Sequence, residues 1–180
     1  MNDAPRERPR AGRIAAALAV TSVVLAVDLW TKAWAWEHLR RAKPIAVIDR
    51  VLYLEFSFNT GSAFGFMNQS ALARPFFLGV TVLTVVVLGL LLRWLPSARI
   101  HGFLAIGLVL GGALGNTHDR IWRTLEEGGK VRHGVVDWIL VHYLPNTPWP
   151  NFNVADVALV IGFAVLVPLV VVHLGLAPER

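Results

Sequence analysis

The sequence predicts a mainly α membrane protein: four transmembrane helices with a small surface β-sheet and loops. Three observations carry this. Of the 180 residues, 55% are hydrophobic and only 16% charged, and the mean hydropathy is +0.54. The apolar residues gather in blocks of about twenty, the length that crosses a bilayer, where a water-soluble domain would break them with charge every few positions. The polar motifs and the strand-like alternation fall between those blocks or at their ends. The length suits a single domain over residues 1–180.

A basic tail with Arg6, Arg8, Arg10 and Arg13 precedes the first span, 14–34. That span is long for the apolar region of a cleaved signal peptide, and Asp28 and Lys32 replace the small residues of a cleavage site. It reads as a retained helix with Trp30, Trp34 and Trp36 at its far interface. The second span is 71–92, ended by "RWLP". The third, 100–115, is shorter and glycine-rich, and the fourth is 154–174. Four spans leave both termini on one side. The tail together with Arg93 and Arg99 favours cytoplasmic termini, but the long loops are basic too, so charge alone leaves the orientation open.

Between the first two spans, "VLYLEFSF" sets Leu52, Leu54, Phe56 and Phe58 against Tyr53, Glu55 and Ser57, the period of a strand. "GVVDWILVHY", 134–143, is rich in β-branched and aromatic residues and predicts a second strand beside it. "PNTPWPNF" is a Pro-broken loop leading into the last span.

Composition also excludes. With no cysteine, the chain has no disulfide, thiolate nucleophile, Cys-based zinc site or lipid-modified Cys. The net charge of +5 is spread along the chain, with no basic run interleaved with aromatics, so it suits topology and anionic lipid headgroups and not nucleic acid. His118, His133 and His142 form neither H-x-x-x-H nor H-E-x-x-H, so no metal is expected, nor any cofactor. Ser62 lacks a G-x-S-x-G context, and no spacing recommends Ser/Lys catalysis with Lys32.

The polar residues that remain are few. Gly107, Gly111 and Gly115 recur every fourth position, a spacing that lets helix backbones approach closely in lipid. "GNTHDR" follows, with Asn116, Asp119 and Arg120 within roughly one helical turn. It is either a helix end with an Asp–Arg pair among the headgroups or a polar cluster supporting a reaction centre. Asp156 stands three residues after Asn153, where an Asn cap and the positive end of the helix dipole account for it. That leaves Asp137, in an apolar strand with no adjacent cation. Two carboxylates in apolar segments near one membrane face make a candidate acid/base pair.

Together these blocks resemble the bacterial lipoprotein signal peptidases (signal peptidase II), an aspartyl intramembrane protease family. "DLWTK" is similar to the family's D-x-x-T-K, "FNTGSAFGF" to N-x-G-x-A-F, and "GGALGNTHDR" to G-G-A-x-G-N-x-x-D-R. "GVVDWI" resembles V-x-D-F, with Trp138 as the aromatic, and "NFNVAD" resembles F-N-x-A-D. The motifs stand in the family's order. The resemblance implies a bacterial inner-membrane protease with cytoplasmic termini and its sheet and active site on the outer face. It implies Asp137 and Asp156 as the catalytic dyad, and Asn59, Gly61, Asn116, Asp119, Arg120, Asn153 and Asp28 as supporting or substrate-binding residues. The implied substrate is a diacylglyceryl-modified prolipoprotein, cut before the lipidated Cys by a monomer among membrane lipids. One departure stands out: the stretch from Arg120 to Asp137 is longer than the family's usual spacing. Glu126, Glu127, Gly128, Gly129 and Lys130 within it predict a mobile outer flap over 123–132.

Two other classes compete. A proton-coupled small transporter would use the Asp residues as carriers, but calls for repeat symmetry and mid-bilayer acids, whereas these acids lie at helix ends or in loops. A non-catalytic scaffold binding partner helices through its glycine face would make the Asp pair dispensable.

Overall fold

The computed structural model describes residues 10–61, 67, 70, 72–95, 99–144 and 147–173. Arg6, Arg8, Ser62, the rest of "FNTGSAFGF" from 62 to 66, and the outermost residues of the spans 71–92 and 154–174 lie outside them. Four helices are long and apolar enough to cross a membrane: α1 (Arg10–His38), α2 (Ala73–Trp94), α3 (Ile100–Trp122) and α4 (Val154–His173). With its small antiparallel sheets, the chain is a multi-pass membrane protein. β1 (Ile45–Ile48) and β2 (Leu52–Asn59) follow α1, and β3 (Thr124–Glu127), β4 (Lys130–His133), β5 (Val135–Leu144) and β6 (Thr147–Pro148) lie between α3 and α4.

The helix bundle is built around α3, which packs on α1, α4 and, less extensively, α2. Its glycines make this approach close. A Cβ on Gly111 would lie 2.7 Å from the Cβ of Val24 on α1, and one on Gly115 would strike the carboxylate of Asp28. The outer surfaces of α2 and α4 are the reverse of a soluble protein's: Val82, Leu83, Val160 and Val167 are all more than half exposed. Such contiguous apolar surface is stable against lipid, where leaving it exposed carries no hydrophobic cost.

Two helices run past the expected spans. The first, expected over 14–34, extends over Arg10–His38, and the third, expected over 100–115, continues to Trp122. "GNTHDR" therefore lies within the last turns of a helix. Its polarity does not end α3 because Asn116, Asp119 and Arg120 find partners on other elements, as described below.

The sheet runs β1-β2-β5-β6, antiparallel throughout. Leu54 pairs with Ile139, but after a bulge Ser57 pairs with Asp137 and Asn59 with Val135. Without that extra residue, Phe56 and Phe58 would occupy the Asp137 face, because a one-residue slip exchanges the faces of a strand. The bulge instead turns Asn59 toward Asp137 and both phenyl rings onto Trp36, at 5.7 and 6.0 Å between centroids. There they pack with the buried Ala35, Leu39 and Val136 and fasten the sheet to the end of α1.

The stretch 123–132, expected as a flap, has regular structure. It forms the hairpin β3–β4, paired from Thr124↔His133 to Glu127↔Lys130. Gly128 and Gly129 make its two-residue turn with φ of 59° and 74°, the left-handed pair that a tight hairpin requires.

Candidate active site

The site forms where the N-terminus of α4 meets β5 and the last turns of α3. The segment before α4 is held to the sheet by Phe152, whose N–H donates to Ile139 O (3.0 Å) and whose carbonyl accepts from Trp138 N and Ile139 N (3.0 and 2.9 Å). The next residue, Asn153, is thereby set beside Asp137.

At α4, Asn153 and Asp156 cap each other. Asp156 N–H donates to Asn153 Oδ1 (3.0 Å) and Asn153 N–H donates to Asp156 Oδ2 (3.1 Å), a reciprocal arrangement that satisfies two backbone donors. A third, Ala155 N–H, donates to Asp28 Oδ1 on α1 at 2.9 Å. The capping expected of Asn153 is therefore present, and α4 begins on two carboxylates that suit its dipole.

The two Asp residues are joined through two carboxamides. Asn153 Nδ2 donates to Asp137 Oδ1 (2.7 Å) and Asn116 Nδ2 donates to Asp156 Oδ1 (2.8 Å). Asn116 Oδ1 accepts from Asn153 Nδ2 (3.1 Å) and Lys32 Nζ (2.8 Å). Asn59 Nδ2 supplies the second donor to Asp137, at Oδ2, 3.0 Å away. Lys32 decides the orientation of this chain of bonds. An ammonium only donates, so Asn116 must turn its oxygen to Lys32 and its amide to Asp156. Lys32 is fully buried, 2.7 Å from Asp28 Oδ2 and 3.9 Å from Asp119 Oδ2. Although it ends the D-x-x-T-K motif, it is not among the expected site residues; its place four residues after Asp28 in an apolar helix marks it as a partner.

Asp119 and Arg120 brace the periphery. Asp119 Oδ2 accepts from Val136 N–H (3.1 Å) and Oδ1 from Arg123 Nε (3.0 Å), tying β5 to α3 one residue before Asp137. Arg120 donates to Gly61 O at 3.0 Å and lies over the Phe77 ring at 4.3 Å. Gly61 N–H in turn donates to Asn59 Oδ1 (3.0 Å), so Arg120 holds the end of the strand that presents Asn59.

All nine residues expected at the site are thus brought into one network. Asp137, Asp156, Asn59, Asn116 and Arg120 also line a cavity of about 300 Å³, whose other walls are Phe77, Val80 and Thr81 of α2 and Leu159 and Phe163 of α4. One end is polar and one apolar. Asn151, not anticipated, lines it too and donates to Glu55 O at 3.2 Å. Asp137 is 3% exposed, and burial first, then the charge of Asp156, pushes its carboxyl up to about 7. Among the described residues no three of His, Asp and Glu are grouped to hold a metal ion; His142 lies against Tyr53, 5.1 Å between ring centroids.

Comparison with known proteins agrees across three kinds of likeness. The family model described as signal peptidase (SPase) II matches residues 20–172. The lipoprotein signal peptidase of Anoxybacillus flavithermus (strain DSM 21510 / WK1) is 37% identical over 147 residues, 80% of this chain and 78% of that protein. The one from Xanthomonas axonopodis pv. citri (strain 306) is 34% identical over 154 residues, 82% and 83%. A bacterial membrane enzyme solved by the in meso method at 2.3 Å shares the fold with a TM-score of 0.73, at 24% identity over 91% of this chain and 92% of that one. Another, solved at 1.9 Å, has a TM-score of 0.69 at 25% identity, over 86% and 91%.

Proposed function

The chain belongs to the signal peptidase II family and removes signal peptides from prolipoproteins, and we propose that it does so as an aspartic protease with Asp137 and Asp156 as the dyad. The observation that carries this reading is the convergence of both carboxylates, each held by fixed N–H donors, on one cavity that is polar at the dyad and apolar toward α2 and α4.

Asp137, held protonated up to about pH 7, donates to the scissile carbonyl oxygen. Asp156 accepts a proton from a water molecule, whose oxygen bonds to the carbonyl carbon and gives a gem-diol. The proton on Asp156 then passes to the amide nitrogen as the C–N bond breaks, and Asp137 recovers its own from the gem-diol. Lys32, Asn116, Asn153 and Asn59 hold the acceptors in place and take no proton themselves.

The substrate in this reading is a prolipoprotein whose Cys already bears diacylglycerol, cut on the N-terminal side of that Cys. The apolar walls from α2 and α4 let acyl chains stay in the bilayer while the peptide lies at the dyad. Main-chain pairing along the sheet orients the peptide. The termini are cytoplasmic and the dyad faces outward. Nothing supports the transporter reading: the carboxylates sit at the start of α4 and on a surface strand, away from mid-bilayer.

The test is to incubate the purified protein with diacylglyceryl-modified and unmodified prolipoprotein and identify products by mass. Release of a fragment beginning at the lipidated Cys, from the modified substrate alone and undiminished by EDTA, is expected. Equal cleavage of both substrates, or a loss in EDTA restored by zinc, would contradict the proposal.

A further inference from the structure

A second cavity, of about 430 Å³, lies between the first turn of α2 and strand β4 and, among the described residues, shares no lining residue with the cavity that holds the dyad. Arg74, Lys130, Arg132 and His133 line it, with Ser70 and Thr60. No carboxylate is among its described lining residues. Neither Lys130 nor Arg132 makes an ion pair among the described residues, and Arg132 Nε is buried without a hydrogen-bond partner. Arg74 makes a long bond, 3.4 Å, to Ile121 O. Burial first, then the charge of the neighbouring Arg74, holds the His133 imidazole below its ordinary range.

Like charges gathered around a cavity repel one another unless an anion joins them. The surroundings say where that anion comes from. Leu72, Phe76 and Val131, beside the same cations in sequence, are 67%, 46% and 68% exposed. Exposed apolar and aromatic side chains next to Arg and Lys at the start of a transmembrane helix mark the boundary between headgroups and hydrocarbon. We propose that this cavity binds a phosphate group at the membrane surface, that of an anionic phospholipid headgroup. Lys130 and Arg132 lie in the stretch where the chain is longer than its family's usual spacing, so the hairpin supplies half of this site. Bound lipid fastens the hairpin to the bilayer between α2 and β5.

The experiment uses the full chain in neutral detergent, titrated with phosphatidylglycerol, with phosphatidylcholine as control, and bound lipid counted by native mass spectrometry. The wild type is expected to bind phosphatidylglycerol selectively and more weakly as salt rises. Arg74→Ala/Lys130→Ala/Arg132→Ala should weaken it on the order of a hundredfold, given what each cation contributes at an anionic surface. Lys130→Ala/Arg132→Ala, confined to the hairpin, should weaken it by about tenfold or more. Unchanged prolipoprotein cleavage in phosphatidylcholine shows that the variants remain folded, and if the triple variant does not fold, the double variant decides. Equal lipid binding by wild type and folded variant overturns the proposal, as does equal affinity for phosphatidylcholine. Inorganic phosphate displacing the lipid at comparable concentration overturns the lipid as the source. Variants that bind lipid normally but raise KM for the prolipoprotein assign the cations to the substrate and likewise overturn it.

Discussion

Asn153 and Asp156 exchange hydrogen bonds in both directions, side chain to backbone, so that the residue proposed as half of the dyad is also the third helical residue of α4's N-terminal cap. Structure and chemistry can be separated there by choice of substitution. Asp156→Asn keeps an acceptor for the Asn153 N–H but sets its own amide against that of Asn116, so it should lower the melting temperature modestly while abolishing cleavage. Asn153→Ala removes the cap and a donor to Asp137, so it should cost about 1 kcal/mol or somewhat more of stability as well as activity. Thermal unfolding in detergent, measured beside cleavage rates, checks the distinction.

The carboxyl of Asp137 predicts a pH dependence of both stability and rate. Its folded value, about 7, lies above the ordinary 3.8, so between those values the folded state holds a proton that the unfolded chain releases. Stability from this group is therefore greatest below about pH 4, falls as pH rises toward 7, and levels off above it. Asp137→Asn should flatten that slope. In the active enzyme kcat/KM should decline above about pH 7 as Asp137 loses its proton. A rate still rising through pH 8 would contradict this.

Lys32 holds two buried carboxylates, those of Asp28 and Asp119, beside Asn116. Lys32→Met strands the Asp28 carboxylate and leaves Asp119 with Arg123, and it should destabilise the protein by about 3–5 kcal/mol. Adding Asp28→Asn removes one stranded charge, so the double variant should recover part of the loss; a double-mutant cycle with no coupling would contradict the arrangement.

Gly115→Ala drives a methyl group into the Asp28 carboxylate, which caps α4 through Ala155. The expected loss is about 1–3 kcal/mol. Gly79→Ala, with nothing within 4 Å of the added carbon, is the control and should unfold like the wild type.

Much of this was legible in the sequence because charge in an apolar context is conspicuous. Asp137 in a strand of Val, Ile and Leu, and Asp156 heading an apolar helix, stand out without any structure. The strands β2 and β5 follow from their alternation. The end of α3 does not, since whether Asn116–Arg120 continue the helix depends on partners from α1, β5 and Gly61 that are distant in sequence. The bulge in β2 is equally hidden: alternation alone points Phe56 and Phe58 to one face and cannot say which face meets Asp137. The hairpin β3–β4 carries a signal, Gly128–Gly129 between short alternating runs, which the acidic and glycine-rich composition around it obscures.

The central claim is that Asp137 and Asp156 perform the hydrolysis together. Its most direct test is single-turnover cleavage of a diacylglyceryl-modified prolipoprotein by Asp137→Asn and Asp156→Asn, each shown to be folded and membrane-inserted. Both rates should fall by about three orders of magnitude or more with substrate binding kept. Near wild-type turnover by either folded variant would contradict the dyad.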